Sequence, residues 1–193
     1  MFLESDLSHP IKGGSIEVIC GSMFSGKTEE LLRRLKRSNF AKLKVETYKP
    51  ALDTRYDNVN VVSHDENFIK SAIVKNSYEI LELIKKPDVV AIDEAQFFTD
   101  DLSITCNNLA NLGIRVIVAG LDMDFKGNPF GYMPKLLAIS DHITKVHAIC
   151  VDCGNIANYS FRTSNNSELV SLGEKNNYKA LCRECFNKHL QNV

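Results

Sequence analysis

The run Gly21-Ser-Met-Phe-Ser-Gly-Lys-Thr28 constrains this chain more than any other stretch. It has the spacing G-x-x-x-x-G-K-[ST], and its flanks give that spacing physical meaning. Residues 15–20, Ser-Ile-Glu-Val-Ile-Cys, read as a short buried strand, and residues 29–36 read as a helix with leucines on one face. A strand, a glycine turn and a helix start together form an anion cradle. Backbone N–H groups and the positive end of the helix dipole converge on a phosphate, and Lys27 adds a point charge. The Thr28 hydroxyl is placed to ligate Mg²⁺ held by the same phosphates. The expectation is a nucleoside-triphosphate site built from Gly21, Ser22, Met23, Phe24, Ser25, Gly26, Lys27 and Thr28. The plainer reading is a glycine turn before an ordinary helix.

The rest of the chain fits a sheet that presents such a loop. Residues 44–48 read as a second strand stopped by Pro50, and residues 51–68 as an irregular or hairpin region with a possible short strand at 60–64. A helix over 78–84 ends before Pro87, and 88–93 is a buried strand closing on an acid. A helix over 102–112 closes at Gly113. Residues 114–119 form another apolar strand, 121–133 a loop with a short helix after it to 140, and 143–149 a last strand. Apolar strands alternating with helices predict an α/β fold, a parallel sheet covered by helices on both faces, with its ligand beyond the carboxyl ends of the strands.

From about residue 150 the composition changes: Asn and Ser rise and long apolar runs vanish. Four of the six cysteines stand there, as Cys150-x-x-Cys153 and Cys182-x-x-Cys185. Two such turns supply four thiolates, enough for a tetrahedral zinc site, whereas one alone could be a redox pair. Cys20 and Cys106 read as small core residues. The expected organisation is a leader over 1–14, a nucleotide-binding domain over 15–149 and a zinc-bearing lobe over 150–193.

Charge sets limits on partners. The chain of 193 residues has 23 basic and 24 acidic side chains, for a formal net charge of -1. That balance argues against a protein that lives by neutralising nucleic-acid backbone. No stretch is apolar enough to span a bilayer, and residues 1–10 carry acids where a secretory signal has a basic start. A cytoplasmic location, no membrane partner and no nucleic-acid partner are expected.

The second chemical element is Val89-Val-Ala-Ile-Asp93-Glu94-Ala95-Gln96-Phe97. An acid ending a buried strand downstream of a glycine loop positions Mg²⁺, often through water, which suits Asp93. Glu94 has three readings: it polarises water in an ATPase, accepts a hydroxyl proton in a kinase, or caps the next turn. Spacing alone leaves these open.

The glycine loop, Asp53-Thr54-Arg55-Tyr56, Ile92-Asp-Glu-Ala-Gln-Phe-Phe98, Leu121-Asp-Met-Asp-Phe125 with Pro129-Phe130-Gly131, and both C-x-x-C pairs occur in one order. Residues 14–186 thereby resemble the zinc-containing type II thymidine kinases of bacteria, animals and poxviruses. The resemblance implies transfer of the γ-phosphoryl of ATP to the 5′-hydroxyl of thymidine, with Mg²⁺ and a structural zinc. It implies Glu94 as catalytic base, Lys27 and Arg55 as catalytic cations, and Asp53, Thr54, Asp93, Ala95 and Gln96 beside the nucleotide, with Gln96 supportive. Met23, Phe97, Leu121, Phe125 and Phe130 would wall the thymine ring. Thr163, Leu169, Val170, Ser171, Leu172, Gly173 and Tyr178 match a lasso that closes over the nucleoside. Cys150, Cys153, Cys182 and Cys185 would hold zinc as its anchor, and Thr28 and Asp93 would serve Mg²⁺. A homotetramer inhibited by thymidine triphosphate is also implied. The chain departs from many members at Ser22, where proline is common, and at Glu174, where a small residue follows the glycine. The competing expectations are a P-loop ATPase with a zinc ribbon acting on nucleic acid, and a zinc-ribbon interaction module with a vestigial nucleotide fold.

Overall fold

The computed structural model describes residues 13–52, 60–62, 68–163 and 177–191. Six strands form one sheet: β1 (Ser15–Cys20), β2 (Val45–Pro50), β5 (Ala72–Val74), β6 (Val89–Ile92), β7 (Arg115–Gly120) and β8 (His142–Lys145). Their order is β5-β2-β6-β7-β1-β8, and every pairing is parallel. A separate antiparallel pair, β3 (Asn60–Val62) and β4 (Phe68–Lys70), supplies the hairpin expected between β2 and the next helix.

Alternation along each strand feeds two cores. Val18, Val90, Ile92, Val116 and Val118 face one way, against Ile80 of α2 (Tyr78–Leu83), Leu102, Cys106 and Leu109 of α3 (Leu102–Asn111), and Met133 and Leu136 of α4 (Met133–Ile139). Ile19, Val89, Ala91, Ile117 and Ala119 face the other way, onto Leu31 and Leu35 of α1 (Lys27–Phe40). Both faces are dry, which is why these strands read as nearly continuous apolar runs. Cys106 is wholly buried in the first core, and burial pushes its thiol far above the ordinary range.

A buried ion-pair network lies within the α1 face. Glu17, in the middle of β1, receives Arg34 of α1 at 2.6 Å and Arg115 of β7 at 2.6 Å; Arg34 also reaches Thr144 on β8 at 2.8 Å. Glu17 and Arg34 are buried, so each needs the other: deleting one partner of such a pair costs roughly 3–5 kcal/mol. The network ties the helix after the glycine loop to three adjacent strands. On the opposite face α3 begins at Asp101, whose carboxylate takes the Ser103 N–H at 3.2 Å, and whose other oxygen holds Lys135 of α4 at 2.7 Å.

After β8 come two small antiparallel pairs, β9 (Ala148–Ile149) with β10 (Ile156–Ala157), and β11 (Tyr159–Arg162) with β12 (Tyr178–Leu181), then α5 (Arg183–Gln191). Their core of Ala148, Ala157, Tyr159, Leu181 and Phe186 is distinct from those of the sheet. Tyr159 stacks on Phe186 with ring centroids 4.5 Å apart.

Several local expectations shift. α1 begins at Lys27, two residues before the leucine pattern starts. The single strand expected over 143–149 is two, β8 in the sheet and β9 outside it. Val146 donates its N–H to the Cys20 carbonyl at 2.8 Å, so the chain leaves the sheet there while still bonded to the end of β1. β5 and α5 are additional elements. No described helix is long and apolar enough to cross a membrane.

Candidate functional site

β7 lies between β1 and β6, so the loop after β1 and the acids after β6 stand one strand apart. That is a gap of about 10 Å at the carboxyl end of the sheet, wide enough for a phosphate chain.

Steric demand explains the glycines of the first loop. A Cβ on Gly21 would come within 2.2 Å of the Val146 carbonyl oxygen, so only glycine lets the chain turn under the β8–β9 connection. Gly26, at φ 84°, makes the left-handed turn into α1, and its carbonyl accepts the Glu30 N–H at 3.0 Å. Between them, the Ser22 carbonyl accepts from Ser25 Oγ at 2.7 Å and from Lys27 Nζ at 2.8 Å. The lysine thus lies across the mouth of its own loop. The Met23 N–H donates to Ser160 Oγ on β11 at 2.9 Å. Phe24 is a non-glycine residue at φ 64° with its ring half-exposed.

Cys20 sits at the root of this loop, opposite Gly120 on one side and Lys145 on the other. Lys145 Nζ pairs with Asp122 Oδ2 at 2.7 Å, an ion pair that bridges the strands on either side of β1. Asp122 is buried, and its Oδ1 has no hydrogen-bond partner among the described residues. Burial, then the Asp122 charge, push the Cys20 thiol up to about 11, with Lys145 and Lys27 pulling against them. A neutral thiol beneath the loop agrees with a packing role for Cys20.

The acidic element is strained at one residue. Asp93 is buried, donates its N–H to the Tyr48 carbonyl of β2 at 3.0 Å, and accepts the Glu94 N–H on Oδ1 at 2.9 Å. Glu94 follows at φ 53°, ψ 40°, a left-handed conformation that a side chain other than glycine adopts at a cost. This turn opens the 3₁₀ segment Ala95–Phe97 and leaves Glu94 half-buried. Gln96, buried, donates Nε2 to Glu94 Oε2 and accepts the Leu121 N–H on Oε1 at 2.9 Å.

Those contacts lead to an apolar cluster. Phe97, Leu121 and Phe130 form one cluster, and Met23 of the glycine loop packs on it. The Phe97 and Phe130 rings meet edge to face, with centroids 6.2 Å apart. The connection 122–130 is drawn tight by Asp124, whose Oδ1 takes the N–H groups of Lys126 at 2.8 Å and Asn128 at 2.9 Å. Phe125 stands apart from that cluster, half-buried under the Arg162 guanidinium at 3.8 Å from the ring centroid. Arg162 also donates to the Tyr178 hydroxyl through Nη2 at 2.7 Å and Nε at 3.0 Å. Thr163 follows, exposed, with its N–H on the Asn177 carbonyl at 2.9 Å.

The four expected cysteines converge. The sulfurs of Cys150, Cys153, Cys182 and Cys185 all lie within 4.8 Å of one another, with Cys153 and Cys182 at 3.6 Å. Four thiolates at the Zn–S distance of about 2.3 Å stand about 3.8 Å apart at tetrahedral corners, so the set fits a zinc ion. The turn at the first pair is fixed by Gly154 N–H on the Cys150 carbonyl at 2.9 Å, and that at the second by Phe186 N–H on the Cys182 carbonyl at 2.9 Å.

Of the residues singled out in the sequence, the structure brings together Met23, Phe97, Leu121 and Phe130, joins Glu94 to Gln96, and places Phe125 with Tyr178 around Arg162. Asp53, Thr54, Arg55, Leu169, Val170, Ser171, Leu172 and Gly173 lie outside the described residues, as do Glu174 and residues 1–12 of the leader expected over 1–14. Ser160, Arg162 and the fully buried Lys49 at the end of β2 carry no motif, so no sequence signal pointed to them. Asp122 was visible only as the second letter of the Leu121 motif.

Comparison with known proteins identifies relatives over nearly the whole chain. Residues 14–186 match the family described as thymidine kinase. The chain is 57% identical to the thymidine kinase of Bacteroides fragilis over 191 residues, which cover 99% of this chain and 96% of that protein. It is 58% identical to that of Bacteroides thetaiotaomicron over 186 residues, 96% of this chain and 94% of the relative. With the thymidine kinase of Rhodothermus sp. the identity is 51% over 180 residues, 93% and 84% of the two chains.

Proposed function

The chain belongs to the thymidine kinase family, and we propose that its crevice moves the γ-phosphoryl of ATP to the 5′-hydroxyl of thymidine, leaving ADP and thymidine 5′-monophosphate. One observation carries this reading: cradle, carboxylate and apolar cluster are a single contiguous unit. Met23 belongs to the glycine loop by its backbone and to the cluster by its side chain, while Gln96 bonds the carboxylate to the cluster's Leu121. An ATPase that tracks a nucleic-acid strand needs a basic groove, and a chain of formal net charge -1 is poorly suited to supply one.

In this reading Gly21 to Thr28 hold the triphosphate. Lys27 exchanges the Ser22 carbonyl for phosphate oxygens and stabilises charge on the phosphoryl in flight. Thr28 and Asp93 would hold Mg²⁺, which neutralises charge on the phosphates. Glu94 accepts the proton of the 5′-hydroxyl as its oxygen attacks the γ-phosphorus. The left-handed turn at Glu94 and the amide of Gln96 aim the carboxylate. Met23, Phe97, Leu121 and Phe130 take the thymine ring, with its apolar methyl face against theirs. Phe125, Thr163 and Tyr178 belong to the nucleoside side through Arg162, and Arg55 and residues 169–173 are assigned there by the resemblance. The four thiolates would hold zinc, which would fix the base of the β11–β12 pair. Assembly as a homotetramer and inhibition by thymidine triphosphate belong to the same reading and rest on the family alone.

Replacing Glu94 by glutamine separates base catalysis from binding. Glu94→Gln retains binding of ATP and thymidine while kcat falls roughly 10²- to 10⁴-fold, the scale of a general base. Calorimetric titration and steady-state kinetics on one preparation check both halves. Unchanged turnover removes Glu94 from the role.

A further inference from the structure

We propose that Ser160 is a positioning residue for the glycine loop, through which the cysteine-bearing segment sets the orientation of the Ser22–Met23 peptide. The inference rests on reading that loop as the triphosphate cradle. The peptide in question is held from both sides. Its carbonyl takes Ser25 Oγ at 2.7 Å and Lys27 Nζ at 2.8 Å, both from within the loop. Its N–H goes to Ser160 Oγ at 2.9 Å, from a residue 137 positions away.

The two sides differ in what an arriving anion does to them. Lys27 leaves the carbonyl when it turns to phosphate oxygens, so the inner restraint weakens as the nucleotide binds. The Ser160 contact is not made by a phosphate-binding group, and it persists. Without it the Ser25 hydroxyl is left to hold the carbonyl, and the peptide turns over more readily to direct that oxygen toward the anion, where an electronegative atom is repelled.

Ser160 is itself held rigidly. It is buried, sits in β11 opposite Ala180 of β12, and is flanked by Tyr159, which stacks on Phe186. The Ala180 carbonyl takes the Val151 N–H at 3.1 Å, from the turn between Cys150 and Cys153, and Leu181 leads directly into Cys182. The oxygen that meets Met23 is therefore positioned by the strands that join the two cysteine turns. At its other end the same hairpin carries Arg162 and Tyr178. One rigid ribbon thus touches the loop midway between the metal-binding cluster and the Phe125 side of the crevice.

The test uses full-length enzyme, with zinc content and melting temperature checked, as wild type, Ser160→Ala and Ser160→Thr. Loss of one neutral hydrogen bond predicts that Ser160→Ala raises KM for ATP, and Kd for a non-hydrolysable ATP analogue, roughly three- to tenfold. KM for thymidine and kcat at saturating ATP move less, and Ser160→Thr, which keeps the oxygen, restores ATP binding. A folded Ser160→Ala enzyme with unaltered ATP affinity, or a threonine variant no better than alanine, overturns the proposal. Hydrogen exchange of the wild-type Met23 amide gives a readout independent of any variant. Slow exchange supports the contact, and exchange as fast as an exposed loop amide overturns it. Wild-type enzyme that binds no ATP analogue overturns the cradle reading as well, which distinguishes the two failures.

Discussion

Glu94 is a glutamate in a backbone conformation that favours glycine, immediately after a buried strand. Such strain persists only where surrounding bonds over-determine it, and here they are identifiable: its N–H on Asp93 and its carboxylate on the Gln96 amide. Gln96 spends its whole side chain on this task, because its oxygen is committed to the Leu121 N–H. Gln96→Leu keeps the volume but leaves that N–H and the carboxylate without the amide. A hydrogen bond to a charged group is worth roughly 1.5–3 kcal/mol, so kcat/KM should fall by about tenfold or more. Gln96→Glu asks a sharper question. A second carboxylate beside Glu94 makes ionisation of the pair harder, so the acid limb of the kcat profile moves to higher pH. A pH–rate series on this variant checks the direction, and an unmoved limb means that Gln96 does not face the working base.

At the scale of elements, the C-terminal strands hold a small core of their own, and four thiolates span the turns on either side of them. Zinc removal is accordingly expected to release hydrogen-exchange protection over residues 148–162 and 178–186 while the β1, β6 and β7 amides stay protected. Simultaneous loss in both regions would show that the two cores melt as one. The elements also differ in how legible they were in the sequence. Strands β1, β6 and β7 announce themselves because both of their faces are buried, so every residue from Val89 to Ile92 is apolar. β5 does not: it is three residues at the sheet edge with only Val74 buried, too short for any period to emerge. α5 was hidden because its buried residues are Cys185 and Phe186, and the cysteine had already been read as a ligand. In the site, the loop and the acids were legible because phosphate chemistry demands particular residue types at particular spacings. Ser160 and Arg162 act across more than a hundred residues or through a stacked ring, and no local pattern encodes such contacts.

For the molecule as a whole, the sheet order decides what the crevice can do. Placing β7 between the loop strand and the acid strand opens room for a phosphate chain, and the loop leaving β7 supplies Leu121 and Phe130 to the apolar cluster beside it. A Glu17–Arg34–Arg115 network stiffens the loop side of that crevice from beneath, while Ser160 braces it from the cysteine-bearing strands. The decisive measurement is ADP release from Mg-ATP by the purified chain, with thymidine, with each other deoxynucleoside and with single-stranded DNA, alongside identification of the labelled product from γ-labelled ATP. Turnover that depends on thymidine and deposits the label on its 5′-oxygen is the predicted result. Turnover stimulated by DNA in the absence of nucleoside, with the label released as inorganic phosphate, would contradict the account.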